Sequence, residues 1–247
     1  MIVYIYDGTF PGLLTAIYEA FYQQEKPSRI LNELDYSQNL FSQPTYIVTD
    51  NHKADKVSEV IKNKISFRAL ISIYYAYLSE MDDVGIIIYH YLKTGFKMGK
   101  YVDGNHSDSS VFKFHEICKK VSREKHRMLG LVRFRLIKSD IFYAPMEPDH
   151  NIITLIAPHF ARRMSDQNWI IHDVKRKIAV IYNQEEWTLT DLEPIQVLPT
   201  EEEEYLYQKT WKTYFDKIAI KERKNPKLQK GFMPTRYWKY LVEVESD

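Results

Sequence analysis

Cysteine is almost absent: Cys118 is the one thiol in 247 residues. A single cysteine cannot close an internal disulfide, build a four-cysteine zinc site or hold an iron–sulfur cluster. It sits in Phe112–Val121, a stretch with amphipathic helical spacing, so a buried structural thiol is a better reading than a nucleophile. Secreted domains usually carry paired cysteines, and their lack points to the cytoplasm. Glycine is also scarce, with eight residues against an average usage of roughly 7%. That scarcity argues against glycine-rich loops wrapped around phosphates. No segment approaches the roughly 18 apolar residues of a membrane helix, and no membrane association is expected. The first residues, Met1-Ile2-Val3-Tyr4-Ile5-Tyr6, lack the basic flank and length of a signal peptide and read as a buried strand.

Apolar residues make up 45% of the chain and aromatics 14%, enough for a substantial core. The length allows one large domain or two intimate lobes. The polar stretch 101–110 is the best candidate boundary. The expectation is a single domain over 1–247, divisible at most into an N-terminal lobe 1–105 and a basic C-terminal lobe 106–247. The net charge is only +1, but it is unevenly spread. Residues 1–110 carry 10 basic and 13 acidic side chains, and residues 111–247 carry 24 basic and 20 acidic. Lys113–Lys138 holds nine Lys/Arg against two Glu, and Lys209–Lys239 holds ten against two acids. Such windows are the footprint of a phosphate-binding face, or simply the solvated surface of helices.

Periodicity predicts an α+β fold in which helix exceeds strand. The start reads β–α–β. Ile2–Tyr6 is a strand, Asp7-Gly8-Thr9 a turn with Thr9 or Asp7 as cap, and Pro11 a first-turn residue of a helix reaching about Gln24. Residues 25–43 read as a loop or a short helix, and Tyr46–Thr49 as a second, parallel strand reached by a right-handed crossover. Residues 54–98 read as helical, with a break at Met81-Asp82-Asp83. A long helix spans Ser109 to about Met128. Two hairpins follow, one turning at Lys138-Ser139-Asp140 and one at Val174-Lys175-Arg176. Between them lies a short helix, Ile152–Met164, and together they suggest an antiparallel sheet. A helix from the Glu201–Glu204 run to about Ile220 and one or two short helices in Asn225–Val242 close the chain.

The common catalytic signatures are missing. There is no dinucleotide fingerprint, Walker lysine loop, Gly-x-Ser-x-Gly elbow or His-Glu-x-x-His. A zinc deaminase and a radical-SAM enzyme both need more cysteines than one. His150, His159 and His172 fall close together, beside Asp149 and Asp173, but their spacing fits no standard metal pattern. They read as hydrogen-bonding groups at a polar cleft or as core histidines. If a cleft exists, the two hairpins and the helix between them form it, with His159, Arg163, His172 and Arg176 facing in. No metal or organic cofactor is expected.

Basic and aromatic residues alternate in the C-terminal run Arg223-Lys224-Asn225-Pro226-Lys227-Leu228-Gln229 and in Phe232–Lys239. Lys and Arg neutralise phosphates, and Tyr or Trp rings offer stacking surfaces for bases. Equally, Phe232, Trp238 and Leu241 can pack the last helix onto the core. The candidate nucleic-acid contacts are Arg127, Arg133, Arg163, Arg176, Arg223, Lys224, Asn225, Lys227, Gln229, Arg236 and Tyr237.

Three ordered blocks of residues resemble a bacterial family of unknown function described in terms of DNA metabolism and DNA repair. The first is Tyr6-Asp7-Gly8-Thr9-Phe10 with Gly12-Leu13-Leu14. The second runs from Arg127-Met128-Leu129-Gly130-Leu131-Val132-Arg133-Phe134 through Glu147-Pro148-Asp149-His150, Pro158-His159-Phe160 with Arg163, and His172-Asp173 with Arg176. The third is Arg223-Lys224-Asn225-Pro226 with Leu228-Gln229, then Met233-Pro234-Thr235-Arg236-Tyr237-Trp238-Lys239. The resemblance covers nearly the whole chain. It implies a radical-SAM protein as partner, and some members are fused to a uracil-DNA-glycosylase-like domain that this chain lacks. The expectation is a DNA-binding protein whose partner supplies the chemistry. Two alternatives stay open: a hydrolase or glycosylase using Asp149, His150, His159, His172 and Asp173, or a protein-binding adaptor.

Overall fold

The computed structural model describes residues 1–38, 40–137, 140–194, 202–218 and 225–244. It is an α+β protein, 54% helical and 17% strand. The chain divides into two compact units, Met1–Ser122 and Arg123–Asp247. A long helix, α5 (Ser109–Leu131), runs through that division.

Unit 1 opens with β1 (Ile2–Tyr6), a turn, and α1 (Phe10–Tyr22). The turn needs Gly8, whose φ is +80°, a region that costs a side chain energy. Thr9 caps α1: its hydroxyl accepts from the Gly12 amide at 3.0 Å. Two further parallel strands, β2 (Arg29–Asn32) and β3 (Gln43–Tyr46), flank β1 in the order β2-β1-β3. The second strand expected at Tyr46–Thr49 instead occupies Gln43–Tyr46, sharing only Tyr46 with the expectation, and β2 lies within the segment expected to be a loop or a short helix. Ile2, Tyr4 and Tyr6 share one face of β1, against α1 and the helices α2 (Asn51–Lys64), α3 (Phe67–Tyr77) and α4 (Val84–Met98). Where α4 meets β2, Gly85 permits close approach, since an added Cβ would lie 2.6 Å from the Ile30 carbonyl oxygen. The Cys118 thiol donates to the Ser72 carbonyl at 3.2 Å, and burial pushes it up to about 12. It is therefore protonated at neutral pH and a poor nucleophile.

Unit 2 holds a five-stranded sheet in sequential order: β4 (Arg135–Ile137), β5 (Ile141–Met146), β6 (Asn168–Asp173), β7 (Ile178–Tyr182) and β8 (Trp187–Asp191). Both expected hairpins are present, β4–β5 and β6–β7. The sheet is nevertheless mixed, because β5 and β6 pair in parallel, Tyr143 beside Ile170 and Pro145 beside His172. The cause is α6 (Ile153–Arg163). A helix leaving the end of β5 carries the chain back to the other end of the sheet, so β6 starts where β5 started. Phe160 of α6 packs edge-on to the buried Trp169, whose ring stacks with Tyr182 at 5.1 Å.

Two further helices and a 3-10 segment complete the unit: α7 (Glu202–Ile218), α8 (Pro226–Phe232) and Thr235–Tyr240, which packs against β5. The turn residues Lys138 and Ser139, the start of the glutamate run at Glu201 and the expected end of its helix at Ile220 lie outside the described residues.

Candidate functional site

Strands β5 and β6 run the same way, so their carboxyl ends open onto one edge of the sheet. That edge is where open α/β sheets place their ligands. The segment leaving β5 is Glu147-Pro148-Asp149-His150, and the turn leaving β6 is Asp173–Arg176. The end of α5 and the 3-10 segment Thr235–Tyr240 converge on the same two turns. Motif blocks far apart in sequence thus meet at one place.

The centre of the cluster is Glu124, 3% exposed. One carboxylate oxygen accepts from the Asp149 amide at 2.6 Å and from the Tyr237 hydroxyl at 2.5 Å; the other accepts from the His150 amide at 2.8 Å. Burial is the main reason the Tyr237 phenol is pushed far up, with the Glu124 hydrogen bond adding to it. Arg176 grips the other side of the loop, donating to the carbonyls of Pro148 at 3.1 Å and Asp149 at 2.9 Å. The same guanidinium donates to the fully buried Asp173 carboxylate at 2.8 Å. The outer rim carries two ion pairs. Arg236 meets Asp149 at 2.7 Å, both about half exposed, and Lys239 meets Glu147 at 2.8 Å. The hydrogen bonds from Lys239 and Tyr240 hold the Glu147 carboxyl below its ordinary range.

The rim is therefore self-neutralised. A phosphate reaching Arg236 or Lys239 must displace a carboxylate already in place. Tyr237, expected as a stacking surface, lies in the core instead. Its ring is 3% exposed, because its hydroxyl is spent on the buried Glu124.

His172 and His159 are not brought together. Side chains alternate along a strand, so Trp169, Ile171 and Asp173 face α6 while His172 faces the other side of the sheet. His159 sits on α6 itself, its ring 5.1 Å from Phe160, and Arg163 is exposed in the last turn of that helix. The buried His172 is held between the Leu192 carbonyl, 3.0 Å from Nε2, and the Tyr143 hydroxyl, 2.7 Å from Nδ1. A carbonyl can only accept, so Nε2 carries the proton and Tyr143 donates to Nδ1. Burial pushes the Tyr143 phenol up to about 12 and the His172 imidazole below its ordinary 6.5.

This burial makes a prediction. The unfolded chain binds a proton at His172 more readily than the folded one, so stability rises with pH in this range. The contribution is complete above about 6.5 and is lost as pH falls toward the folded-state value. Thermal melts should show a decline between pH 7.5 and 5 that is smaller in His172→Gln. An equal decline in both proteins would show that other groups cause it.

The remaining candidates sit apart from this cluster. Arg133 forks onto Glu243, with Nε 3.2 Å from each carboxylate oxygen, and lies 5.5 Å from the Trp211 ring centre. Arg127 donates to the Gly231 carbonyl at 3.2 Å. Asn225 caps α8 by accepting from the Leu228 amide at 3.0 Å; Lys227 is exposed and Gln229 half-buried on that helix. Arg223 and Lys224 lie outside the described residues. Among the described residues no group of three or more His, Cys, Asp or Glu is arranged to hold a metal ion, and no helix is long and apolar enough to cross a membrane.

Glu124 is not among the site residues expected from the sequence. Its signal is positional: it stands between Val121 and Met128, three and four residues away, on the buried stripe of α5. A lone carboxylate at a core position of a helix marks a partner waiting for it.

The fold and cluster define an α+β protein with a polar knot at the carboxyl ends of a parallel strand pair. Residues 82–243 match a domain of unknown function, DUF4130, and the chain belongs to that family. No curated protein matches the chain.

Proposed function

We propose that this protein binds nucleic acid in DNA repair or DNA metabolism, beside a radical-SAM partner that supplies the chemistry. The observation that carries the reading is the outer face of α7. Its inward stripe is Glu204, Gln208, Lys212 and Phe215, at helical spacing; Glu204 is buried and accepts from the Leu136 amide at 2.8 Å. Tyr205, Leu206, Tyr207, Trp211 and Tyr214 are exposed. An ordinary amphipathic helix does the reverse. Tyr207, Trp211 and Tyr214 fall on one stripe, with Trp211 and Tyr214 ring centres 5.8 Å apart. Lys209 and Lys217 are exposed on the same helix, and Lys227 and Lys230 on α8. Rings and cations in this mixture suit stacked bases and their phosphates. The resemblance of the three sequence blocks supplies the DNA-repair context and the partner. The enzyme reading draws less support, since His172, Asp173 and the backbone of Asp149 and His150 are committed to internal hydrogen bonds.

The test is a fluorescence-anisotropy titration of labelled single-stranded and duplex DNA at several salt concentrations, with and without the co-purified partner. If about four to six phosphates are neutralised, log affinity on duplex should fall against log salt with a slope of roughly −4 to −5. Tyr214→Ala should weaken single-strand binding by about 1–3 kcal/mol, the worth of one base stack. Lys227→Ala should flatten the salt slope by about one unit if it holds a phosphate. Failure to bind either DNA, alone or with the partner, would leave an adaptor.

A further inference from the structure

Unit 1 carries a cavity that the reading above does not use. It lies between α1 and α2, is closed at one side by Phe96 of α4, and has a volume of about 330 Å³. That is within the size of small-molecule sites, which begin near roughly 300 Å³. Tyr18 and Phe21 of α1 line it with Val57 and Val60 of α2, so the floor is apolar. Tyr22 stacks on Tyr18 with ring centres 4.4 Å apart and planes 27° from parallel, and most of its surface is exposed. Lys56 and Lys64 complete the lining.

The charge here has one sign. Lys56 and Val60 share one side of α2 at a spacing of four, Lys64 lies one turn beyond Val60, and all three line the groove with Val57. The acids of this helix beside them, Asp55 and Glu59, are exposed and do not line the groove. Lys53, on the same side, is taken up by Glu19 at 2.7 Å, but no ion pair is found for Lys56 or Lys64 among the described residues. The Lys53 and Lys56 ammonium groups each lie 5.7 Å from the Tyr18 ring centre, within cation–π range.

We infer that this groove binds a small planar anion with the chemistry of a nucleoside monophosphate. Aromatic walls and an apolar floor accept a flat ring, and a lysine ammonium accepts a phosphate. The two lysines leave α2 eight residues apart, about 12 Å along its axis. An extended mononucleotide is comparable in length, so its phosphate can meet one ammonium while acceptor atoms on the base edge meet the other. A simple aromatic carboxylate meets only one. The site lies within unit 1 and uses no residue assigned to nucleic acid above.

Isothermal titration of the full chain with AMP, GMP, CMP and UMP tests this, with adenosine and inorganic phosphate as half-ligands. At least one monophosphate should bind more tightly than about 1 mM, and each half-ligand at least about tenfold more weakly. Lys56→Gln and Lys64→Gln should each weaken binding about 3- to 10-fold, more so at low salt, because screening already weakens the contact at high salt. Tyr22→Ala should weaken it by a similar factor of about 5. These side chains are exposed, so unchanged circular dichroism will confirm that the variants fold. Lys62→Gln, exposed on α2 but outside the groove lining, should change nothing. A 5′-phosphorylated dinucleotide separates the sources: equal affinity assigns a strand end, and reduced affinity a free nucleotide. The proposal falls if no monophosphate binds at about 10 mM, if the double variant Lys56→Gln/Lys64→Gln binds unchanged, or if Lys62→Gln abolishes binding.

Discussion

Replacing Glu124 with Ala should lower folding stability by about 3–5 kcal/mol, the usual cost of removing one partner from a buried ionic or hydrogen-bonded cluster. Two backbone amides and a phenol donate to this carboxylate, and Ala leaves all three donors without it in a place water does not reach. Tyr237→Phe removes one of the three donors and should cost only about 1–2 kcal/mol. Glu124→Gln keeps the shape but turns one acceptor into a donor facing a donor, and should fall between the two. Urea denaturation of the full chain provides the measurement, with unchanged m-values required for the comparison. A loss under about 1 kcal/mol for Glu124→Ala would show that water or a side chain replaces the carboxylate readily.

Arg176→Ala should be comparably severe, at about 3–5 kcal/mol. The guanidinium pairs with Asp173, whose side chain is 0% exposed, and also donates to two carbonyls of the Glu147–His150 segment. Asp173→Asn removes the negative charge while keeping a group able to accept from the turn. In the double variant, the cost should be less than the sum of the two single costs, by about 1–3 kcal/mol, because the pair interacts directly. Additive losses would mean that Arg176 acts through the carbonyls alone.

Much of this architecture can be read from local patterns. The Asp7-Gly8-Thr9 turn, Thr9 as cap and Pro11 in the first turn of α1 follow from residue chemistry acting over a few positions. The two hairpins follow from alternating apolar residues around polar turns. What is hidden is whatever depends on distant partners. β2 offers only Ile30 and Leu31 between Arg29 and Asn32, too short a run to announce a strand; its pairing with β1 makes it one. The division between α2 and α3 is masked because apolar spacing continues across it, although Ser66 caps α3 through the Ala69 amide. The parallel pairing of β5 with β6 depends on the path of α6, which no residue in either hairpin encodes.

The same distinction governs the site. The turns after β5 and β6 carry unusual residue clusters that draw attention from sequence. Their partners do not: Glu124 looks like one acid in a basic run, and Tyr237 and Arg236 look like a stacking ring and a phosphate contact. Only the fold reveals that these groups satisfy one another.

A helix that rests on its polar side has an unusual thermal character. When an ordinary surface helix lifts away, apolar area enters water and the heat capacity rises. Among the described side chains, lifting α7 exposes the half-buried Phe215 and the part of Trp211 covered beside Arg133, while Tyr205, Tyr207 and Tyr214 already face solvent. Its detachment therefore carries a smaller heat-capacity change, and contacts such as Glu204 to Leu136 and Trp211 to Glu243, for which water can substitute, also oppose it. Covering the exposed rings, by contrast, lowers the heat capacity. For this helix, the calorimetric mark of burial belongs to association more than to folding.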